Sequence, residues 1–170
     1  MEFSGKKVTV VGTGISGIGA VGLLNAVGAE VVLYDGNEKL KIEDIEKKLG
    51  TYKAEIVLGE LTKELTDSSD LLVISPGVPI DSPVVKAFEA AGVPVWGEVE
   101  LAYAFDKGKV LAITGTNGKT TTTALVGQIV GAYHKDTFVV GNIGNPHGNT
   151  RNRGFVVTQI LDAVKELRGL

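Results

Sequence analysis

The sequence predicts an α/β protein, a Rossmann-like parallel-sheet domain followed by a partial P-loop α/β domain. Short β-branched runs alternate with helical stretches from the start, the rhythm of a doubly wound sheet. Two glycine-rich loops, Gly12–Gly17 and Thr114–Thr121, each sit between such a run and a helical stretch. Apolar residues make up 44% of the 170, enough to fill a buried core.

Lys7–Val11 reads as a strand buried on both faces of a parallel sheet. Gly14–Val27 follows as a helix, with small residues where it would press on that sheet. Glu30–Tyr34 is a second strand and Lys41–Leu49 a charged, exposed helix. Ala54–Leu58 and Asp70–Ile74 are the third and fourth strands, the latter ending in the turn signal Ser75-Pro76-Gly77. Asp81–Ala91 is helical, Val93–Trp96 a short fifth strand, and Glu98–Phe105 a helix. The polar interruption Asp106-Lys107-Gly108-Lys109 marks a boundary between residues 1–106 and 107–170. Beyond it the pattern restarts with a strand at Val110–Thr114, a loop, a helix from Lys119 to Tyr133 and a strand at Thr137–Val140. Residues 147–154 carry no pattern, Phe155–Gln159 fits a strand, and Leu161–Leu167 a short amphipathic helix.

Several function classes drop out on composition. A net charge of −3 does not provide the basic footprint of a nucleic-acid binder. The absence of cysteine excludes disulfides and thiolate metal sites. The first residues carry no apolar signal core and no apolar run reaches bilayer length, so a cytoplasmic location without a membrane partner is expected. His134 and His147 lack metal-ligand spacing, and Glu98 and Glu100 read as helix-start acids that favour the macrodipole.

The first loop, Gly12-Thr13-Gly14-Ile15-Ser16-Gly17, matches G-x-G-x-x-G at a strand end opening a helix. The first glycine permits the tight turn, the second the approach of a ligand, and the third close helix–strand packing. Free N–H groups at the helix start suit a phosphate. Asp35, ending the second strand, is placed to bond a ribose hydroxyl. The motif does not say which phosphate-bearing ligand binds: NAD is its usual reading, a nucleotide-sugar diphosphate would use the same loop, and glycines that serve packing alone would look the same.

The second loop, Thr114-Gly115-Thr116-Asn117-Gly118-Lys119-Thr120-Thr121, carries the Gly-Lys-Thr ending of a Walker A loop. Backbone donors of Gly115, Thr116, Asn117 and Gly118 would cradle ATP phosphates, with Thr121 in the following turn. Lys119 would neutralise the β/γ-phosphates and the Thr120 hydroxyl would ligate Mg²⁺. Ile113 stands where the leading glycine of the full motif would fall. A dehydrogenase needs one phosphate loop, whereas an enzyme that activates a nucleotide-linked substrate with ATP needs two.

This shortened second loop resembles that of the Mur ligases and their folylpolyglutamate synthase relatives. Val10-Val11-Gly12-Thr13-Gly14-Ile15-Ser16-Gly17, Ser75-Pro76-Gly77-Val78-Pro79, Gly97-Glu98-Val99-Glu100-Leu101 and Gly141-Asn142-Ile143-Gly144 follow in family order. Together they are similar to the Mur ligases that join D-glutamate to UDP-N-acetylmuramoyl-L-alanine. The resemblance implies that Gly14, Ile15 and Ser16 contact the substrate diphosphate and nearby sugar. It implies that Asp35, Gly36 and Asn37 reach the uridine portion, and that Ser75 and Gly77 line the uracil pocket. Lys119 and Asn142 would serve the reaction centre, with ATP and Mg²⁺ as cofactors, and an acyl phosphate would be attacked by the amine of D-glutamate. Rivals from other classes are an NAD(P)-binding oxidoreductase domain, a MurC-like ligase portion and a non-catalytic ligand-binding fragment.

The family motifs give out after Gly144. A Ser-Ser-Phe-Gln-Leu-Glu-like acidic segment has no counterpart in Phe155–Ile160, and Asn152–Leu167 resembles the family's extreme C-terminus, as a truncation, an internal deletion or an engineered joint would leave it. The chain as given is therefore expected to bind the UDP substrate without completing ligation, and to self-associate through an incomplete second domain.

Overall fold

The computed structural model describes residues 3–105, 109–134 and 137–139. Five parallel strands form one sheet: β1 (Lys7–Val11), β2 (Glu30–Asp35), β3 (Glu55–Leu58), β4 (Leu71–Ile74) and β5 (Val95–Gly97), in the order β3-β2-β1-β4-β5. Val8 of β1 lies opposite Val31 on one side and Leu71 on the other. The chain first builds outward from β1 through β2 to β3, then crosses back to place β4 on the other flank. The strand order thus reverses between β1 and β4, and the crevice beyond their carboxyl ends is where open α/β sheets bind ligands.

The described residues form six helices: α1 (Ile15–Ala26), α2 (Ile42–Leu49), α3 (Lys63–Ser68), α4 (Pro83–Ala90), α5 (Glu98–Phe105) and α6 (Lys119–Tyr133). The twofold alternation of strand side chains divides the apolar residues between two layers. Val8, Val10, Val31, Leu33, Leu71 and Val73 meet Leu23 and Leu24 of α1, Ile45 of α2 and Leu101 of α5. Val11, Val32, Tyr34, Leu72 and Ile74 meet Leu65 of α3 and Val85 and Phe88 of α4. Both faces are covered, which is why these strands read as continuous apolar runs. Thr9, the polar exception in β1, is fully buried and shares a hydrogen bond with the Ser69 hydroxyl at 2.8 Å. Phe3 packs edge-on to Trp96 at 6.1 Å and against Phe105 at 5.0 Å, holding α5 to the sheet.

Four differences from the sequence reading have physical causes. The helix α3 was not expected; it has six residues, too few for helical periodicity to register, and it is announced only by Thr62, whose hydroxyl accepts from Leu65 N. β4, β5 and α4 are offset by one or two residues from the predicted bounds, the ordinary uncertainty of element ends. Residues 110–114, expected as a strand, form none among the described residues: Val110 and Leu111 are exposed and no neighbouring strand pairs with them. Residues 137–139 likewise form no strand; they cross α6 where it lacks side chains, since a Cβ at Gly127 would collide with Val139. The expected boundary falls on residues 106–108, and the strand at 155–159 and helix at 161–167 also lie outside the described residues.

At the opposite edge of the sheet from the crevice, Asp70 accepts from Lys7 N and from Lys6 Nζ, both at 2.9 Å. These bonds hold its carboxyl below the usual carboxylate range, the Lys6 side chain contributing most. A depressed folded-state pKa contributes stability that is present above the unfolded value and lost as pH falls through the folded one. Asp70→Asn is therefore expected to lower the denaturant midpoint at neutral pH and to match wild type in strong acid, with the difference shrinking in high salt.

Candidate functional site

The first glycine loop leaves β1 at the reversal point. Gly12 has φ +105°, a conformation that side chains rarely adopt, and its N–H donates to Tyr34 O of β2 at 2.9 Å. On the other flank Ser75, at the end of β4, donates from its N–H to Val11 O at 3.2 Å. The Ser75 hydroxyl then turns inward: a Cβ on Gly12 would lie 3.0 Å from it and one on Gly17 3.3 Å. A Cβ on Gly17 would also collide with Gly12 O. The two glycines bring loop, helix and the β4 turn together, and the buried Ser75 Oγ finds no hydrogen-bond partner among the described residues.

Helix α1 starts at Gly14 without a side-chain cap and without an acidic residue in its first turn. Its leading N–H groups are thus available to an anion, and the dipole favours negative charge there. Ile15 is exposed at this end, whereas Ser16 and Gly17 are buried. Gly14 has open space where a Cβ would stand, as a backbone surface for ligand approach requires.

Asp35 organises the β2 side of the crevice. Its Oδ2 accepts from Thr13 Oγ1 at 2.9 Å and from Thr13 N at 3.3 Å, and its Oδ1 accepts from Asn37 N at 3.1 Å. The half-buried carboxylate therefore clamps the glycine loop to the turn containing Gly36 and Asn37, while an ionised carboxylate keeps further acceptor capacity. Tyr34 ties the end of β2 to the residue that follows β3 by donating to Gly59 O at 2.7 Å, and burial, then the neighbouring Asp35, raises its phenol. Gly77 is exposed at the β4 turn. Gly14, Ile15, Ser16, Asp35, Gly36, Asn37, Ser75 and Gly77 thus occupy one edge of the sheet, except that the Ser75 hydroxyl is turned away from solvent.

Sequence reasoning overlooked two members of this edge. Thr13 is buried and bonded to Asp35, a role that the x position of the motif conceals. Glu98, read as a helix-start acid that favours the macrodipole, is 4% exposed, and its Oε2 has no partner among the described residues. Burial pushes its carboxyl up and hydrogen bonding from the Ser16 side chain opposes that shift. The available signal was its place directly after β5, where a helix start is carried to the same sheet edge as the glycine loop.

The second loop is differently built. Gly115 and Gly118 take φ +151° and +75°, and Gly118 is the left-handed N-cap of α6, again without a side-chain cap. Lys119 Nζ donates to Gly115 O and to Thr116 O at 3.3 Å, so the ammonium lies over its own loop. Thr116, Asn117, Thr120 and Thr121 are exposed around it. Asn142 lies outside the described residues, as does His147. Among the described residues no group of acidic or histidine side chains could alone hold a metal, and no helix is long and apolar enough to cross a membrane.

Comparison with known proteins identifies the family. The model of the Mur ligase MurD-like N-terminal domain matches residues 6–97, and that of the Mur ligase middle domain matches residues 113–168, continuing past the Gly144 at which the motifs give out. The chain is 67% identical over 147 residues to the UDP-N-acetylmuramoylalanine–D-glutamate ligase of Lachnospira eligens, covering 86% of this chain and 33% of that protein. It is 53% identical over 165 residues to the ligase of the same name from Lachnoclostridium phytofermentans, covering 94% of this chain and 36% of that one. A solved pseudomurein peptide ligase type C from Methanothermus fervidus aligns at 27% identity and TM-score 0.49 over 74% of this chain and 26% of its own. The chain spans about a third of the length of the curated relatives it matches. With family matches on both sides of the predicted boundary, this chain belongs to the Mur ligase family, in its MurD-like branch.

Proposed function

We propose that the chain supplies the UDP-sugar site and the ATP loop of a ligase that joins D-glutamate to UDP-N-acetylmuramoyl-L-alanine. The observation that carries this reading is the pair of uncapped, glycine-opened helix starts at α1 and α6, each suited to phosphate. Residues 1–106 would hold the UDP substrate and residues 107–170 would begin the ATP-binding domain. The α1 start would take the diphosphate through the Gly14, Ile15 and Ser16 region. The Asp35–Asn37 turn would take the uridine portion, and the main chain at Ser75 and Gly77 would border the uracil. Gly115–Thr121 would cradle ATP, with Lys119 swinging from its loop carbonyls onto the β/γ-phosphates.

The substrate carboxylate would attack the γ-phosphorus of ATP, releasing ADP and leaving an acyl phosphate. The D-glutamate amine would then attack the acyl carbon, expelling phosphate and forming the amide. Positioning and electrostatic stabilisation carry such a transfer. The exposed Thr120 hydroxyl fits a Mg²⁺ held jointly with nucleotide phosphates and water, and the ion when bound neutralises phosphate charge. Asn142 would face the substrate near the reaction centre. The enzyme would work in the cytoplasm, where its nucleotide substrates are made, without nucleic-acid or membrane partners, and exposed Leu125, Ile129 and Tyr133 on α6 would favour self-association when uncovered.

Calorimetric titration with UDP-N-acetylmuramoyl-L-alanine and with NAD tests the first site. The UDP compound is expected to bind and NAD not to; tight NAD binding without UDP binding would replace this reading with a dinucleotide site. Gly17→Ala, which must push α1 off the loop, is expected to cost about tenfold or more in UDP-substrate affinity, the scale of one misdirected hydrogen bond to a charged group. For the second site, Lys119→Ala should weaken ATP binding by a similar factor and leave the circular dichroism spectrum unchanged. Equal ATP affinity in wild type and variant would remove the P-loop assignment.

A further inference from the structure

Glu98 opens α5 immediately after β5, at the carboxyl edge of the sheet, and α5 packs against α1, β4 and β5. Its carboxyl is buried beside Ser16, in the first turn of α1, while Oε2 has no partner among the described residues. A buried acceptor without a donor is costly. The other carboxyl oxygen, the one that meets Ser16, once protonated becomes a donor beside a hydroxyl that can accept. Among the described residues nothing else nearby competes for the proton: α1, β4 and β5 carry no titratable side chain, Glu100 and Tyr103 of α5 are exposed, and Asp35 is turned to Thr13 and Asn37.

We propose that Glu98 is a positioning residue that takes up a proton when a nucleoside diphosphate binds at the α1 start, and so orients the Ser16 hydroxyl toward the phosphate. The inference rests on the reading of that loop as a diphosphate site. With Glu98 ionised, Ser16 donates to the carboxylate and presents lone pairs elsewhere, a poor surface for an anion. With Glu98 protonated, the carboxyl donates to Ser16 Oγ and the Ser16 hydrogen is released toward a phosphate oxygen. The proton comes from solvent, no covalent bond of the ligand changes, and one negative charge beside the diphosphate is removed. Burial already favours the neutral acid, and an arriving anion favours it further. By linkage, affinity falls as pH rises through the free-state titration of Glu98, by up to about tenfold per pH unit.

The test is calorimetry with UDP-N-acetylmuramoyl-L-alanine, whose diphosphate diester and carboxylate stay ionised across neutral pH, in two buffers of different ionisation enthalpy. Wild type is expected to take up a fraction of a proton approaching one as pH rises, with weakening affinity. Glu98→Gln, which keeps an N–H donor, should bind with no uptake and a flat pH profile, and Glu98→Ala should bind more weakly throughout. No uptake by wild type, or equal uptake by Glu98→Gln, overturns the proposal and leaves the diphosphate site standing. Absence of any binding removes both. Should the variants fail to fold, the carboxyl carbon resonance of Glu98 in ¹³C-glutamate-labelled wild type decides: a protonated shift in the complex supports the coupling, and a carboxylate shift refutes it.

Discussion

The close approach of Gly12, Gly17 and Ser75 is the constraint on which the candidate site depends. β1 pairs with β2 on one side and β4 on the other, so the first loop must leave a strand that has neighbours on both flanks. Only a chain without side chains at two points can turn there and still let α1 settle on the sheet, because any Cβ at Gly17 would meet Gly12 O. The small residues Gly19, Ala20 and Gly22 continue that contact along α1. The ligand edge and the core are thus one packing problem: what lets the helix press on β1 also aims its N-terminus at the crevice.

Much of this was legible in the sequence because it rests on local rules. The β-branched runs, the strand–loop–helix placement of both glycine motifs and the acid ending β2 each state a structural requirement within a few residues. Thr13 and Glu98 were illegible for the opposite reason. Their roles come from partners distant in the chain, Asp35 for the first and Ser16 for the second, and no periodicity encodes such contacts. The strand expected at 110–114 failed for a related reason. A strand is defined by its neighbours, and β-branched composition supplies only the willingness to pair. The inward turn of the Ser75 hydroxyl likewise depends on the glycines it touches.

The two glycine loops, read as phosphate sites, would solve the same electrostatic problem with different means. The second sets a full positive charge, Lys119, over an exposed backbone ring. The first has no cation between Lys7 and Lys39 and relies on oriented N–H groups, partly buried, with Asp35 fixing their geometry. One is suited to gripping a highly charged nucleotide that must be released after reaction. The other is suited to orienting a diphosphate whose flanking groups carry the recognition.

That lack of a lysine or arginine in the first loop's own sequence reaches beyond geometry into kinetics. The field of a helix start is felt mainly over its first turn, whereas that of an ammonium is felt across a Debye length. On the proposed reading, arrival of a phosphate ligand at the first loop would be less steered and less sensitive to ionic strength than arrival at the second. Two anionic ligands taken up as proposed would thus meet one chain under different physical rules, and a change in the ionic composition of their surroundings would alter the balance between them without touching either loop.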